Sequence, residues 1–579
     1  MRIRPLPYIG LALLMMAPAV FAGDDNDKTA APATPTVTDQ TEVQRLKALL
    51  TEQQKQIEQL RKALAEQGKL LDSIADHLQA SSEETAPAAL PTHQGTGEIA
   101  STTPIVPPAP APGPTASPFP NLPSSSATSS SSASTAIVPD PQQSEAPSPL
   151  QLKIGDATIT PVGFMDLTNV WRSAGTGAGI GTNFGSVPFN NTVTGRLTED
   201  RLSAQNSRVG IRVDANVKGA NVLGYMEGDF LGFVPTNAAV TSNSMTFRMR
   251  LYWADVRKGK WEILGGQSWS MLTPNRKGIS ALPADLFYSQ DMDTNYQLGL
   301  TWTRQAGFRF LLHPSDKVTF GISLEDPEQY IGGTGGSTSV VLPSALSASN
   351  YSNEVNNGGT TLSVPNLAPD IIAKLAFDPT SRVHVEVAGL ESTFKTYYQA
   401  SNTFFTKVGA GGSLNANLEL LPGFRFVTNN FWSDGGGRYI YGQAPDFIVA
   451  ANGAPLVEHA GSTVDGFEAT LKNSLFYTYY GGVYIDRDTA RDTNNSLIGW
   501  GYSGSSNAMN RAEQEITFGL TQTLWRDAKF GALSLISQYS YVWRNPWYVA
   551  INAPKNAHMD MFYIDLRYTL PGSAPTIKY

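Results

Sequence analysis

From residue 157 to about residue 570 the chain repeats one pattern: a run in which apolar and polar side chains alternate, then a connection, then another such run. A period of two places successive side chains on opposite faces of a β-strand. The connections are tight, then long, then tight again, as they are when every strand crosses one layer with turns at one rim and loops at the other. This predicts an all-β transmembrane barrel of about sixteen antiparallel strands. The runs lie at 158–171, 204–217, 221–231, 245–256, 261–268, 297–313, 317–324, 370–377, 383–394, 407–420, 424–431, 465–471, 475–485, 513–525, 529–543 and 559–570. Fourteen or eighteen strands, also even, are the alternative counts. The stretch 297–313 reads either as two strands turning at Arg304-Gln305 or as one long strand; a single strand preserves the alternation of connections, with Pro314-Ser315-Asp316 as its turn. A barrel of this size encloses water, whereas eight strands would be filled by side chains. The loop over 269–295, after the fifth strand, is expected to fold inward and narrow the lumen.

Strand parity separates the two faces. Val209, Ile211, Val213, Met226, Phe230, Met245, Phe247, Met249, Leu251, Phe308, Phe310, Leu312, Phe424, Phe426, Phe562, Ile564, Leu566 and Tyr568 suit lipid. Their neighbours Arg208, Arg212, Glu227, Asp229, Arg248, Arg250, Arg309, Arg425, Asp565 and Arg567 then face water. An arginine turned to lipid near the midplane costs about 2–4 kcal/mol, which supports that assignment. Arginines on a pore wall raise the local concentration of anions and hold carboxylates bidentately. Any single one can instead be a wall ion pair with Glu227, Asp229 or a neighbour.

Composition agrees with a half-polar barrel: 16% charged residues, a formal charge of −8 and no cysteine in 579 residues, with mean hydropathy −0.20. The lack of cysteine excludes disulfides and thiolate metal sites, and the charge gives no nucleic-acid signal. Ahead of the barrel lie three different segments. Arg2 and Arg4, an apolar core over 9–16 and Val20-Phe21-Ala22 form a secretory signal peptide over 1–22, too short to span a bilayer as a helix. Over 42–79, heptad positions a (Val43, Leu50, Ile57, Leu64, Leu71, Leu78) and d (Leu46, Gln53, Leu60, Gln67, Ile74) are apolar at nine of eleven places, so an α-helical coiled coil that self-associates is expected. Residues 81–149, rich in Pro, Ser, Thr and Ala, read as a disordered linker, and 152–579 as the barrel domain. The six histidines are isolated, with only His384 mid-strand and inward, and no Gly-x-Ser-x-Gly motif occurs. No catalytic constellation, metal or cofactor is therefore expected.

Several short motifs fall in one order: Ser207-Arg208-Val209-Gly210, Gly224-Tyr225-Met226-Glu227-Gly228-Asp229-Phe230, Phe247-Arg248-Met249-Arg250, Gly265-Gly266-Gln267-Ser268-Trp269-Ser270, Ser323-Leu324-Glu325-Asp326-Pro327, Pro369-Asp370 and Gly437-Arg438-Tyr439. The set resembles the DcaP-like trimeric outer-membrane porins over about 152–571. That resemblance implies a homotrimer with an N-terminal coiled coil, an arginine-lined, anion-preferring pore and dicarboxylates as solutes. It carries over Arg208, Arg248, Arg250 and Arg438. The chain departs from the family in its long linker and in continuing past the last strand, over 572–579. The expected function is passive diffusion of small anionic solutes across a bacterial outer membrane, with outer-membrane lipid around the barrel and the N-terminal region in the periplasm. The alternative is a structural anchor linked to the cell wall through the coiled coil, with a non-selective pore.

Overall fold

The computed structural model describes residues 148–571, apart from 235–239, 241–244, 282–286, 288–291, 345–353 and 358–363. The expected signal peptide, the coiled coil, the linker up to residue 147 and the tail 572–579 lie outside the described residues.

Sixteen strands close into one antiparallel barrel. They are β1 (Ala157–Arg172), β2 (Arg208–Val217), β3 (Ala220–Asp229), β4 (Arg248–Lys258), β5 (Trp261–Trp269), β6 (Arg304–Ser315), β7 (Val318–Glu325), β8 (Asp370–Thr380), β9 (Val383–Tyr398), β10 (Thr403–Leu421), β11 (Phe424–Asp434), β12 (His459–Leu471), β13 (Ser474–Ile485), β14 (Asn510–Asp527), β15 (Gly531–Pro546) and β16 (Ala557–Thr569). Each pairs with the next, and β1 closes on β16 from Phe164↔Thr569 to Arg172↔Met561. Two short strands pair with β1: Leu152–Ile154 doubles back on its start and Glu199–Ser203 pairs with its end. Beside the closing seam the Ser148 hydroxyl donates to the Pro571 carbonyl at 2.8 Å.

The tight rim uses turn chemistry legible in the chain. Between β2 and β3, Lys218 and Gly219 both take positive φ (51° and 76°). That geometry matches the right-handed twist of the flanking strands. Parity places Val209, Ile211, Met226, Met249, Phe308, Phe310, Phe562, Ile564 and Leu566 on the exposed outer face, as expected.

Two expectations change. The sixth strand begins at Arg304, not at residue 297. Residues 297–303 run inside the lumen: Leu298 N–H and Gln297 Nε2 donate to Glu515 on β14, and Thr301 N–H donates to Asn429 on β11. Their apolar alternation therefore serves contacts within the lumen, not a lipid face. Leu251 also turns inward. A β-bulge opposite Glu227 and Gly228 leaves Arg250 without a register partner. The extra residue puts Arg250 and Leu251 on the same side and reverses parity for the rest of β4. Leu251 is fully buried in a cluster with Val162, Leu223, Tyr225, Trp253 and Leu264.

The long loops fold into the barrel and build an apolar core there. Phe184, Val187 and Phe189 come from the β1–β2 loop. Met271, Leu272, Ile279 and Met292 come from the β5–β6 loop. Phe447, Ile448 and Val449 come from the β11–β12 loop, and Trp500 from the β13–β14 loop. The lumen thus holds folded loop structure that frames the polar wall.

Candidate pore-lining site

Inward parity brings Glu227 and Asp229 of β3 against the first residues of β4. Arg248 and Arg250, two residues apart on β4, between them serve both acids. Arg250 is 1% exposed; its Nε donates to Glu227 at 2.9 Å and its Nη1 to Asp229 at 2.6 Å. Its Nη2 donates to the Tyr296 hydroxyl at 2.7 Å. Arg248 grips Asp229 bidentately, Nε at 2.7 Å and Nη2 at 3.2 Å. Arg208 on β2 stands 4.0 Å from Glu227, its guanidinium over the Phe164 ring at 5.1 Å. Arg304, at the start of β6, stacks on Trp269 and Trp302 at 5.5 and 5.6 Å. Its Nη1 has no hydrogen-bond partner among the described residues. The same tryptophan rings pack on Tyr296 at 5.5 and 4.6 Å. Three guanidiniums thus share two carboxylates and Arg304 adds a fourth with no ion pair among the described residues, a surplus of two positive charges within this cluster. The loop phenol of Tyr296 registers this field. Burial opposes its ionisation, yet Arg250, Arg304 and Arg208 together hold its pKa below the usual 10.0.

Elsewhere on the wall the carboxylates hold the inward loop. Glu325 accepts the Met271 N–H at 2.7 Å, Glu386 the Asn275 N–H at 3.0 Å and Asp378 the Gly278 N–H at 3.0 Å. Glu515 accepts the Leu298 N–H at 2.9 Å. Glu468 takes both terminal nitrogens of Arg276, at 2.7 and 2.9 Å. Lys374 joins the loop carbonyl of Thr273 at 2.9 Å to Glu386 at 2.6 Å. Main-chain donors and Arg276 therefore engage these acids, and residues 270–281 and 292–303 of the loop after β5 pack against the inner wall.

The remaining arginines singled out from the sequence are dispersed. Arg212 pairs with Asp214 of its own strand at 2.7 Å. Arg309 is 3% exposed and donates to the Ser268 hydroxyl at 3.0 Å. Arg425 lies 3.7 Å from Glu419. Arg567 bridges Asp166 and Asp565 at 3.0 and 3.1 Å, beside the closing seam. Arg438 sits on no strand: it lies in a short 3-10 turn, Gly437–Tyr439, of the β11–β12 loop and reaches Asp370 at 2.6 Å. In the same loop, burial pushes the Asp446 carboxyl up to about 8 against the lowering pull of Arg438. His384 rests between Asp378 and Glu386 at 2.8 and 3.0 Å. Sequence reasoning missed Arg304, Arg276, Tyr296 and Trp302, all placed by the inward loop or its exit. It also passed over Glu386, Glu468 and Glu515, although strand parity would have turned all three inward.

A closed sixteen-stranded barrel whose loop crosses a charged lumen is the architecture of an outer-membrane porin. Among solved structures, the chain is similar to the outer membrane channel DcaP of Acinetobacter baumannii (TM-score 0.51, 16% identity, covering 72% of this chain and 98% of that one). It is also similar to an anion-selective porin from Comamonas acidovorans (TM-score 0.39, 10% identity, 71% and 99% covered) and to Salmonella typhi OmpF (TM-score 0.39, 11% identity, 72% and 99% covered). Neither a protein-family model nor a curated protein sequence matches the chain. The DcaP likeness shows the fold, and the motif resemblance holds at that level.

Proposed function

We propose that the protein is a porin whose water-filled channel passes small anionic solutes by passive diffusion, dicarboxylates being the class the family resemblance implies. One observation carries this: Arg208, Arg248, Arg250 and Arg304 outnumber Glu227 and Asp229 at the β2–β6 wall. The acids Glu325, Glu386, Glu468 and Glu515 support it, because they are engaged by the inward loop. Fixed positive charge at a narrow aqueous passage raises anion concentration there and excludes cations. The heptad segment supports self-association, the homotrimer being what the family resemblance implies, with the N-terminal region in the periplasm, where the linker would let it reach the cell wall. The test is the reversal potential of purified protein in a planar bilayer under a potassium chloride gradient. Chloride preference is expected. Cation preference refutes the anion reading, and absence of conductance refutes the channel.

A further inference from the structure

Two arginines at the rim of β13–β15 are built into place with no carboxylate to meet them. Arg511 sits at a β-bulge near the start of β14: Asn510 pairs with Pro546 and Ala512 with Asn545, so Arg511 has no register partner on β15. A bulge re-aims a side chain, and here Asn510 and Glu513 stay buried while Arg511 is exposed. Arg487, just past the end of β13 at Ile485, is exposed as well.

Trp547, the first residue after β15, gathers both. The Arg487 guanidinium lies 4.6 Å from the centre of its ring and that of Arg511 5.8 Å. The ring itself is fixed: Nε1 donates to the carbonyls of Ile485 and Asp486 at 3.0 and 3.2 Å. Gly501 has φ of 68°, and a Cβ there would come within 2.5 Å of the indole, so only glycine lets the β13–β14 loop close on it. Neither guanidinium makes an ion pair or a hydrogen bond among the described residues. The acids beside Arg487 do not supply one. Asp486 accepts the Arg487 main-chain N–H at 2.7 Å and the Tyr484 hydroxyl at 3.4 Å, and Asp488 is half-buried. Arginines stacked on a ring lose little freedom on binding, and their fork of donors fits a phosphate.

The surroundings point to the occupant. Tyr484 on β13 and Tyr539, Tyr541 and Trp543 on β15 face outward, alternating with buried Val483, Ile485, Ser540 and Val542. Tyr541 packs on Trp543 at 5.5 Å and on His558 of β16 at 5.9 Å, and Tyr484 meets the Trp547 ring edge-on at 6.3 Å. Such an aromatic belt marks the level of lipid headgroups. Tyr484 pairs with Ala512, the residue after Arg511. The arginines therefore stand one step beyond the belt, on the rim of long loops, which is the extracellular one.

We propose that Arg487 and Arg511, held on Trp547, bind the phosphate of an outer-leaflet glycolipid whose acyl chains lie along the belt. This rests on the porin reading above, which puts the barrel in an outer membrane. A free phosphate shares the headgroup chemistry but not the chains.

The test is native mass spectrometry of purified full-length protein titrated with bisphosphorylated lipid A, with the same lipid stripped of phosphate, and with inorganic phosphate. Wild type is expected to hold the phosphorylated lipid and release the stripped one, and inorganic phosphate in millimolar excess should not displace it. Arg487→Gln/Arg511→Gln should weaken binding about tenfold for each arginine removed. Arg196→Gln, at an exposed arginine of the β1–β2 loop, should leave it unchanged. Equal binding of the stripped lipid, an unaffected double variant, or an equal loss in Arg196→Gln overturns the proposal. Displacement by inorganic phosphate overturns the lipid as the source. Single-channel recording separates the two readings, and the double variant should conduct like the wild type. A wild type that conducts but does not hold lipid A overturns this site alone; one that holds lipid A but never conducts overturns the porin reading alone.

Discussion

Replacing Arg248 by Gln reduces the surplus at the β2–β6 wall from two positive charges to one. Arg248 is the suitable target because 36% of its side chain is exposed, against 15% for Arg208 and 1% for Arg250. A unit charge about 5 Å from a permeating ion in water is worth about 0.8 kcal/mol. Screening over a Debye length of about 8 Å roughly halves it. The remaining ~0.4 kcal/mol changes chloride entry about twofold and potassium entry about twofold in the other direction, so the permeability ratio should fall about fourfold. The double variant Arg248→Gln/Asp229→Asn has three guanidiniums and one carboxylate, and the surplus returns to two. If net fixed charge sets selectivity, the double variant recovers the wild-type reversal potential despite lacking a pore arginine. The reasoning is refuted if Arg248→Gln leaves the ratio unchanged, or if the double variant stays as low as the single one.

Glu468→Gln weakens the anchor of Arg276; breaking a buried pair costs about 3–5 kcal/mol. The inward loop should then loosen, giving larger and noisier single-channel currents, and a quiet channel of unchanged conductance would mean that its other bonds suffice. Leu251→Ala should destabilise the barrel by about 2–5 kcal/mol in denaturant titrations in lipid vesicles, as expected for a buried leucine; an effect near zero would return Leu251 to the lipid face. Asp446, with a folded pKa of about 8 against 3.8 for the free group, is protonated in the folded loop at neutral pH. Its contribution is fully present below the free value and is lost as pH rises through about 8. Hydrogen-exchange protection of the β11–β12 loop should therefore fall as the medium becomes alkaline, and Asp446→Asn should remove that dependence.

Much of the barrel was legible because lipid and water impose a strict period of two. Phe308-Arg309-Phe310 cannot sit in a membrane wall any other way, and the alternation of tight and wide connections orders the sixteen strands. Reading failed where that constraint lapsed. The stretch from Gln297 to Thr303 alternates like a strand, but both of its sides meet protein, so its pattern carries no information about lipid. The bulge at Arg250 leaves no mark in the chain, since Met249, Arg250 and Leu251 alternate correctly; only the pairing with Glu227 and Gly228 reveals it. Arg304 looked like a turn residue because its partners, Trp269 and Trp302, meet it only after the loop has crossed the lumen. The ordered motifs around Arg208, Glu227, Asp229, Arg248 and Arg250 did converge on one site, whereas Arg438 reached Asp370 from a loop that strand parity cannot address.

The seam between β1 and β16 bears on how the protein is made. Asp166 and Arg567 meet across 401 positions of sequence, and the strands that carry them are the first and the last to cross the membrane. Apart from this closing seam, the backbone ladders between the sixteen strands join strands consecutive in the chain and can form as growing hairpins. This one cannot exist until synthesis is complete, and until then both open edges present unpaired backbone groups. Contacts between such distant residues are slow to form. The cell must therefore deliver the whole barrel and shield its edges until the ends meet, and the Asp166–Arg567 pair marks the moment at which that protection can be withdrawn.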